Sequence, residues 1–364
     1  MTQIRQDISL TPYNTFAVDV QANFFVEVKH EQEIFDLISM DVFTQYPHLI
    51  LGGGANILFT KTYEGLVIKV SILGKEVIKE EGNDIYIKVG AGENRHDFVM
   101  RTLEQWYVGM ENLVLIPGQV GAAPVGNIGA YGKETKDVVY QVEGIDLESK
   151  EKKTWSNEDC AFGYRDSIFK HELKDNVIIT AVTFVVQKQS PDYVPNIQYN
   201  DIQNALGAKA IDPLEITAQQ VADIIIEIRE NKLPDWKKIG TAGSFFKNPV
   251  VTKEQYEKLL INYPQLKWNE VHGSESMPNG RQVWILHSPH SRTSAFKLSA
   301  GQLIELAGFK GQSVWAVGSY NNHALIIVNN GGASGKEIRA FAQAIQKKVQ
   351  ALFDVELEPE VIIL

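Results

Sequence analysis

Pro117-Gly-Gln-Val-Gly121-Ala-Ala-Pro-Val-Gly126-Asn-Ile-Gly129-Ala-Tyr-Gly132 is the stretch on which the fold reading turns. Its two prolines oppose a regular helix. Its glycines and alanines let the backbone come close to a flat or phosphorylated ligand. A buried crossover loop would have the same composition, so the stretch alone leaves both readings open. Upstream, Leu51-Gly-Gly-Gly-Ala-Asn56 comes after a short apolar run. Consecutive glycines permit positive φ and let N–H groups converge on an anion, and Asn56 can cap or bond nearby. A plain tight turn is the other reading. Val89-Gly-Ala-Gly92 fails the G-x-G-x-x-G test, because Arg95 stands where the third glycine belongs. Neither a dinucleotide fingerprint nor a Walker loop is present.

Around these loops the periodicity reads as mixed helix and strand. Phe24–Val28, Leu49–Leu51, Leu66–Val70, Ile85–Val89, Val142–Leu147, Val177–Val186 and Ala324–Val328 have strand character. Glu31–Met40, His96–Trp106, Thr252–Tyr263 and Ser299–Ala307 have helical spacing. Thr217–Asn231 is the clearest helix, with Thr217 and Gln220 as a capping box and Leu233-Pro234 ending it. Ser334 caps a last helix, Gly335–Phe353, and Glu356–Leu364 closes the chain as a strand. Ser190–Leu214 reads as a loop with short helical turns. The pattern implies an α+β, multi-domain enzyme, with a boundary near Leu233.

The chain has 364 residues and a net charge of −10, so a global basic footprint for nucleic acid is absent. Cys160 is the single cysteine, which excludes an internal disulfide and reads as a small buried hydrophobe. The N-terminus lacks the pattern of a signal peptide. No apolar run approaches the ~20 residues needed to cross a bilayer. A cytoplasmic protein without membrane insertion is expected. His272, His287 and His290 lie in a polar stretch, Asn269–Ser294, but lack compact ligand spacing, so no metal is expected.

Three further motifs carry chemistry. Phe162-Gly-Tyr-Arg165-Asp-Ser-Ile-Phe-Lys170 offers a guanidinium that could hold a carboxylate bidentately, or merely pair with its neighbour Asp166. Gly240-Thr-Ala-Gly243-Ser244-Phe-Phe-Lys247-Asn248-Pro249 sets a serine in a glycine turn, yet Phe246 breaks the G-x-S-x-G nucleophile pattern. A simple turn serine remains the plain alternative. Leu357-Glu-Pro-Glu360-Val precedes an apolar chain end, so its carboxylates need partners if buried.

Taken together, LGGGANIL, IPGQVGAAPVGNIGAYG, YRDS, GTAGSFFKNP and the terminal EPE resemble the UDP-N-acetylenolpyruvoylglucosamine reductase family, within the PCMH/vanillyl-alcohol-oxidase type of FAD fold. The likeness runs from Asn14-Thr-Phe to Glu360. It implies a two-part FAD-binding domain, residues 1–74 and 75–232, and an α+β substrate-binding domain, 233–354, with 355–364 returning to the FAD side. It implies FAD and NADPH as cofactors, UDP-N-acetylglucosamine enolpyruvate as substrate and a monomeric enzyme of peptidoglycan precursor synthesis. By the same likeness, Gly52, Gly53, Gly54, Ala55 and Asn56, then Gly121, Ala122, Ala123, Gly126, Asn127, Ile128, Gly129, Tyr131 and Gly132, cradle FAD. Gly126 departs from the family, where a larger polar residue is expected.

Arg165 and Glu360 match residues that stabilise the developing enolate, and Ser244 matches the proton donor. Glu358 does not inherit a role. Tyr164, Asn248 and Tyr199, the last in the covering loop of the long-loop class, match substrate contacts. Lys232 and Lys297 match diphosphate ligands, with Arg229 one helical turn from Lys232. His323 stands where a glutamine would touch the uracil end. Two rival readings stay open: another FAD-dependent alcohol or hydroxy-acid oxidase or dehydrogenase, and a non-catalytic nucleotide-sugar binder.

Overall fold

The computed structural model describes residues 3–272, 274–276, 282–284 and 294–364. Two compact units divide the chain. The first gathers 1–8, 22–53 and 64–231, and the second 9–21, 54–63 and 232–364.

In the first unit, Val177–Lys188 is the spine of a six-stranded sheet, lying between Val139–Asp146 and Asp84–Gly90. Its residues from Val177 to Phe184 are all buried, which explains why the sequence there is a near-continuous apolar run rather than an alternation. Phe98 and Val99 of the helix Arg95–Glu104 share its core with Val221 and Ile225 of the helix Ala218–Lys232. The outer strand Lys75–Glu81 is exposed along its whole length. Its charges suit a sheet edge, and they hide it from any hydrophobic pattern. A second, four-stranded sheet ends on His48–Leu51, which runs parallel to Tyr63–Val70 and delivers the chain into Gly52.

Ser190–Leu214 departs from the loop expectation. It contains a full helix, Asn200–Lys209, anchored by buried Ile202 and Leu206 and ended by Ala210 in the left-handed region. Two apolar residues four apart are enough to dock one helical face but too few to show as periodicity.

In the second unit, Gly240–Ser244 pairs antiparallel with His323–Asn329 at the edge of a four-stranded sheet. A three-stranded sheet joins Val250–Thr252, Ser294–Leu298 and Trp268–His272. The helix Gly335–Phe353, capped by Ser334 as expected and with Glu337 completing a capping box, buries Ile338, Phe341, Ile345 and Val349 in the core of this unit. The chain end is less regular than a strand. Its one regular strand is Ile362–Ile363, parallel to Ile57–Leu58, and Pro359 makes only an isolated bridge because it lacks the N–H that a continuous ladder needs. Of the histidines in Asn269–Ser294, His287 and His290 lie outside the described residues. Among the described residues, no helix is long and apolar enough to cross a membrane.

Cys160 is fully buried. Desolvation, with Asp159 adding to it, pushes the thiol up from 9.0 to about 12. The thiolate fraction near neutrality therefore falls roughly a thousandfold. A colorimetric thiol reagent is expected to leave the folded chain unmodified over hours and to titrate one thiol at once in denaturant. Rapid labelling of the native protein would show the site to be open.

Candidate functional site

In the first unit three turns are pressed together. Gly53 lies so close to the second loop that a β-carbon on it would sit 3.1 Å from Gly118 Cα. One on Gly121 would sit 2.5 Å from Ala91 Cβ. With no side chains between them, the turns satisfy each other's polar groups. Gly121 N–H donates to Ala91 O at 2.9 Å, and Val120 N–H to Glu93 O at 2.9 Å. Gln119 Nε2 donates to Gly92 O at 2.8 Å.

Lys69 ties the first turn to the second. Its ammonium donates to Gly52 O at 2.9 Å and to Gln119 Oε1 at 2.8 Å. Burial lowers its pKa to about 8, against a partly compensating attraction to Glu27.

Further along, Asn127 is buried with φ +41°. Its amide donates to Glu134 Oε2 and Gly163 O, and its Oδ1 accepts from Lys136 N–H. Both amide hydrogens are thus committed within the protein, and what this residue can offer a cofactor is backbone. Gly129 carbonyl accepts from Arg165 Nη2 at 3.0 Å. Gly126 has Ile128 and Lys170 as its nearest neighbours, with room for a β-carbon at ordinary contact distance.

Arg165 sits at φ +55° in a tight turn closed by Gly163 and Asp166. A non-glycine residue held there costs about 1–3 kcal/mol, a strain typical of functional positions. Asp166 is held by His171 Nε2 at 2.8 Å, and Ser167 Oγ donates to Val125 O. The YRDS turn is thereby fastened to the second glycine loop at two points. Tyr164 packs beside the Arg165 guanidinium at 5.8 Å.

Tyr199 is half-exposed and meets Tyr131 edge-on, with ring centroids 5.2 Å apart. Asn112 links the same regions, donating to Tyr131 O and Asn196 O, while Asn196 donates to Gly132 O. Arg229 bonds Leu115 O through Nε and also engages the Tyr131 side chain. Its charge therefore belongs with this loop. Lys232 ends the same helix.

In the second unit, Gly54 continues the first loop at φ +64°, and a β-carbon there would fall 2.0 Å from Tyr13 O, so only glycine fits. Ala55 comes next, half-buried, and Asn56 Nδ2 donates to Glu360 O at 3.1 Å. Ser244 is exposed, just past a register shift in its strand where Gly243 takes φ +74°. Phe245 and Phe246, both buried, anchor the chain immediately after the serine. The chain end lies against them: Phe246 bridges Pro359 antiparallel, and Glu360 N–H donates to Phe245 O at 2.8 Å. Glu360 is thus set beside the residue after Ser244, while exposed Glu358 pairs with Lys247 at 2.6 Å.

Asn248 Oδ1 accepts from Ala300 N–H at 3.0 Å, at the start of the helix Ala300–Leu306. Lys297 lies opposite Val250 in the three-stranded sheet. The His323 ring stands over Gly301, whose β-carbon would lie 3.6 Å from Cε1. Asn248 and His323 therefore gather about one helix N-terminus, and Lys297 lies in the strand that leads into it.

Residues 234–364 match the family model for the C-terminal domain of UDP-N-acetylenolpyruvoylglucosamine reductase, and residues 22–151 match that of an FAD binding domain. A UDP-N-acetylenolpyruvoylglucosamine reductase from Chromobacterium violaceum is 41% identical over 364 residues, spanning 100% of this chain and 99% of its own. The chain belongs to the UDP-N-acetylenolpyruvoylglucosamine reductase family. Another relative of that name, from Flavobacterium johnsoniae, is 39% identical over 359 residues, 99% of each chain. The crystal structure of the reductase from Thermus caldophilus shares the fold, with a TM-score of 0.65 at 20% identity over 100% of this chain and 99% of that one. The reductase fold is therefore an FAD-binding domain of the PCMH/vanillyl-alcohol-oxidase type together with an α+β C-terminal domain.

The turns fit FAD, since backbone brought this close at Gly53 and Gly121 presents no side chain there to obstruct a diphosphate or a flat ring. Reading the sequence of this reductase family member missed Lys69, Gln119 and Arg95 as builders of the site. Lys69 sits in a strand, Gln119 inside the glycine run, and Arg95 at a motif position noted only for failing.

Lys69 has a measurable signature. Below about pH 8 it is charged in both folded and unfolded chains, and the cost of burying the charge is fully present. As pH rises from about 8 towards 10.5 the folded chain loses the proton first, so the unfolded chain binds more protons and stability increases. In FAD-free protein, Lys69→Met should remove that gain from the unfolding midpoint across this window. A pH slope identical to that of the unsubstituted chain would assign it to other groups.

Proposed function

We propose that the chain reduces UDP-N-acetylglucosamine enolpyruvate to UDP-N-acetylmuramate with NADPH, through FAD, on the route to peptidoglycan precursors. The observation that supports this most is the hydrogen bond from Glu360 N–H to Phe245 O, which joins the EPE terminus to the GSFFKNP turn. An alcohol or hydroxy-acid oxidase has no use for a serine turn joined in this way to the segment that carries Glu360.

Bound FAD would supply the redox chemistry, taking hydride from NADPH and passing it to the enolpyruvyl double bond. Gly52–Asn56 and Gly121–Gly132 would hold it. Reduction of the vinyl ether develops negative charge on the carbon next to the carboxylate. Arg165, pre-set by its strained turn and its bond to Gly129 O, is suited to hold that carboxylate and spread the charge. Glu360 contributes a carboxyl group on the side of Ser244. Ser244 delivers the proton that completes the reduction, and its exposure lets solvent restore the hydroxyl. Lys232 and Lys297 neutralise the diphosphate of the UDP-sugar, while Asn248 and His323 line the nucleotide side. Tyr164 and Tyr199 close over the substrate.

Ser244→Ala should keep NADPH-dependent bleaching of the flavin while slowing its reoxidation by substrate ~10²–10⁴-fold, the usual worth of a general acid. Stopped-flow absorbance separates the two half-reactions, and equal losses in both would refute the assignment. Tyr199→Phe should weaken substrate binding about three- to tenfold, the range for one hydroxyl hydrogen bond, with the flavin spectrum unaltered. Unchanged affinity in a titration of the flavin band would exclude the covering role.

A further inference from the structure

Arg95 is buried to 5% exposure at the start of the helix Arg95–Glu104, in the Val89-Gly-Ala-Gly92 turn region that packs on the second glycine loop. Its backbone N–H donates to Gly118 O at 3.2 Å, and its Nη2 donates to Pro117 O. Nε and Nη1 are closed to solvent and have no hydrogen-bond partner among the described residues. A guanidinium stays charged at physiological pH, and dry donors on a buried charge are strongly unfavourable unless an acceptor arrives.

The charges that act on it are alike in sign. Burial first, then Arg229 and Arg165, lower it to about 10. All three guanidiniums are tethered to carbonyls of one stretch: Arg229 to Leu115, Arg95 to Pro117 and Arg165 to Gly129. A cluster of like charges around a backbone cradle, with two donors of its most buried member unspent, is complementary to an anion.

We propose that Arg95 is an FAD-binding residue, its two unspent N–H groups donating to an anionic oxygen of the bound cofactor. This rests on the FAD reading of the glycine loops. Two parts of FAD carry such oxygens: the diphosphate, and the pyrimidine edge of the flavin once it is reduced. The shared chemistry is a charge-assisted bond to an oxyanion.

The test is Arg95→Met, which keeps the length of the side chain without charge or donors, measured by FAD titration of the FAD-free full-length chain and by the flavin midpoint potential. Loss of a charge-assisted contact should weaken oxidised FAD about 10- to 100-fold if the diphosphate is the partner. If the reduced pyrimidine is the partner, the potential should fall while oxidised FAD binds nearly as before. Without FAD, the variant should melt no lower than the unsubstituted chain, because a dry charge among like charges has been removed. Should Arg95→Met fail to fold, Arg95→Lys retains the charge without the fork and should show a smaller loss in the same direction. An unsubstituted chain that binds FAD, beside a variant with Kd within twofold and potential unchanged, overturns the Arg95 assignment alone. An unsubstituted chain that takes up no FAD overturns the cofactor reading and this inference with it.

Discussion

Backbone packed directly on backbone, with no side chain between, is the constraint that organises the first unit. The turns around Gly53, Ala91 and Gly121 approach to distances at which a single methyl group would collide. Carbonyls and N–H groups brought that close must serve one another, and they do, through Gly121 with Ala91 and Val120 with Glu93, while the Gln119 side chain caps Gly92 O at the margin. Lys69 closes the set by spanning Gly52 and Gln119. A lysine buried for this purpose carries a desolvation cost that attraction to Glu27 offsets only in part.

What lies beyond the turns inherits its position from them. Arg165 is fastened to Gly129, Ser167 to Val125, Arg229 to Leu115 and Tyr199 against Tyr131. Non-glycine residues at positive φ recur along this path, at Asn127, Tyr131 and Arg165. Each is tolerated because neighbouring bonds hold it: Asn127 makes three, and Tyr131 O is engaged by Asn112. Local strain is stored here by over-determination, the usual way a rigid site is kept in a geometry the chain would not choose unaided.

The second unit solves a different problem. Ser244 stands at a sheet edge, where a register shift lets its strand turn, and the residue paired with it in the reaction scheme comes from the end of the chain. Parallel pairing of Ile362–Ile363 with Ile57–Leu58, a bond from Thr60 N–H to Leu364 O and the bridge from Phe246 to Pro359 hold that end down. Few residues are regular strand, yet Leu357 and Val361 are buried. Burial therefore does what a ladder interrupted by proline cannot.

Sequence alone determined the fold family and the motif residues on which the functional proposal rests, because glycine runs, YRDS, GTAGSFFKNP and EPE are local patterns whose residues lie next to one another in the chain. It also determined the long amphipathic helices and their caps, where apolar spacing and capping residues act within a few turns. Tertiary structure alone decided which groups meet. No spacing indicates that segments 9–21 and 54–63 belong with 232–364, that Lys69 reaches Gln119, that Asp166 is held by His171, or that Arg95 is buried with donors to spare. Most of those outcomes depend on contacts between residues tens to hundreds of positions apart. Such contacts are selected by packing and polar satisfaction of the whole unit, and leave no periodic trace in the chain.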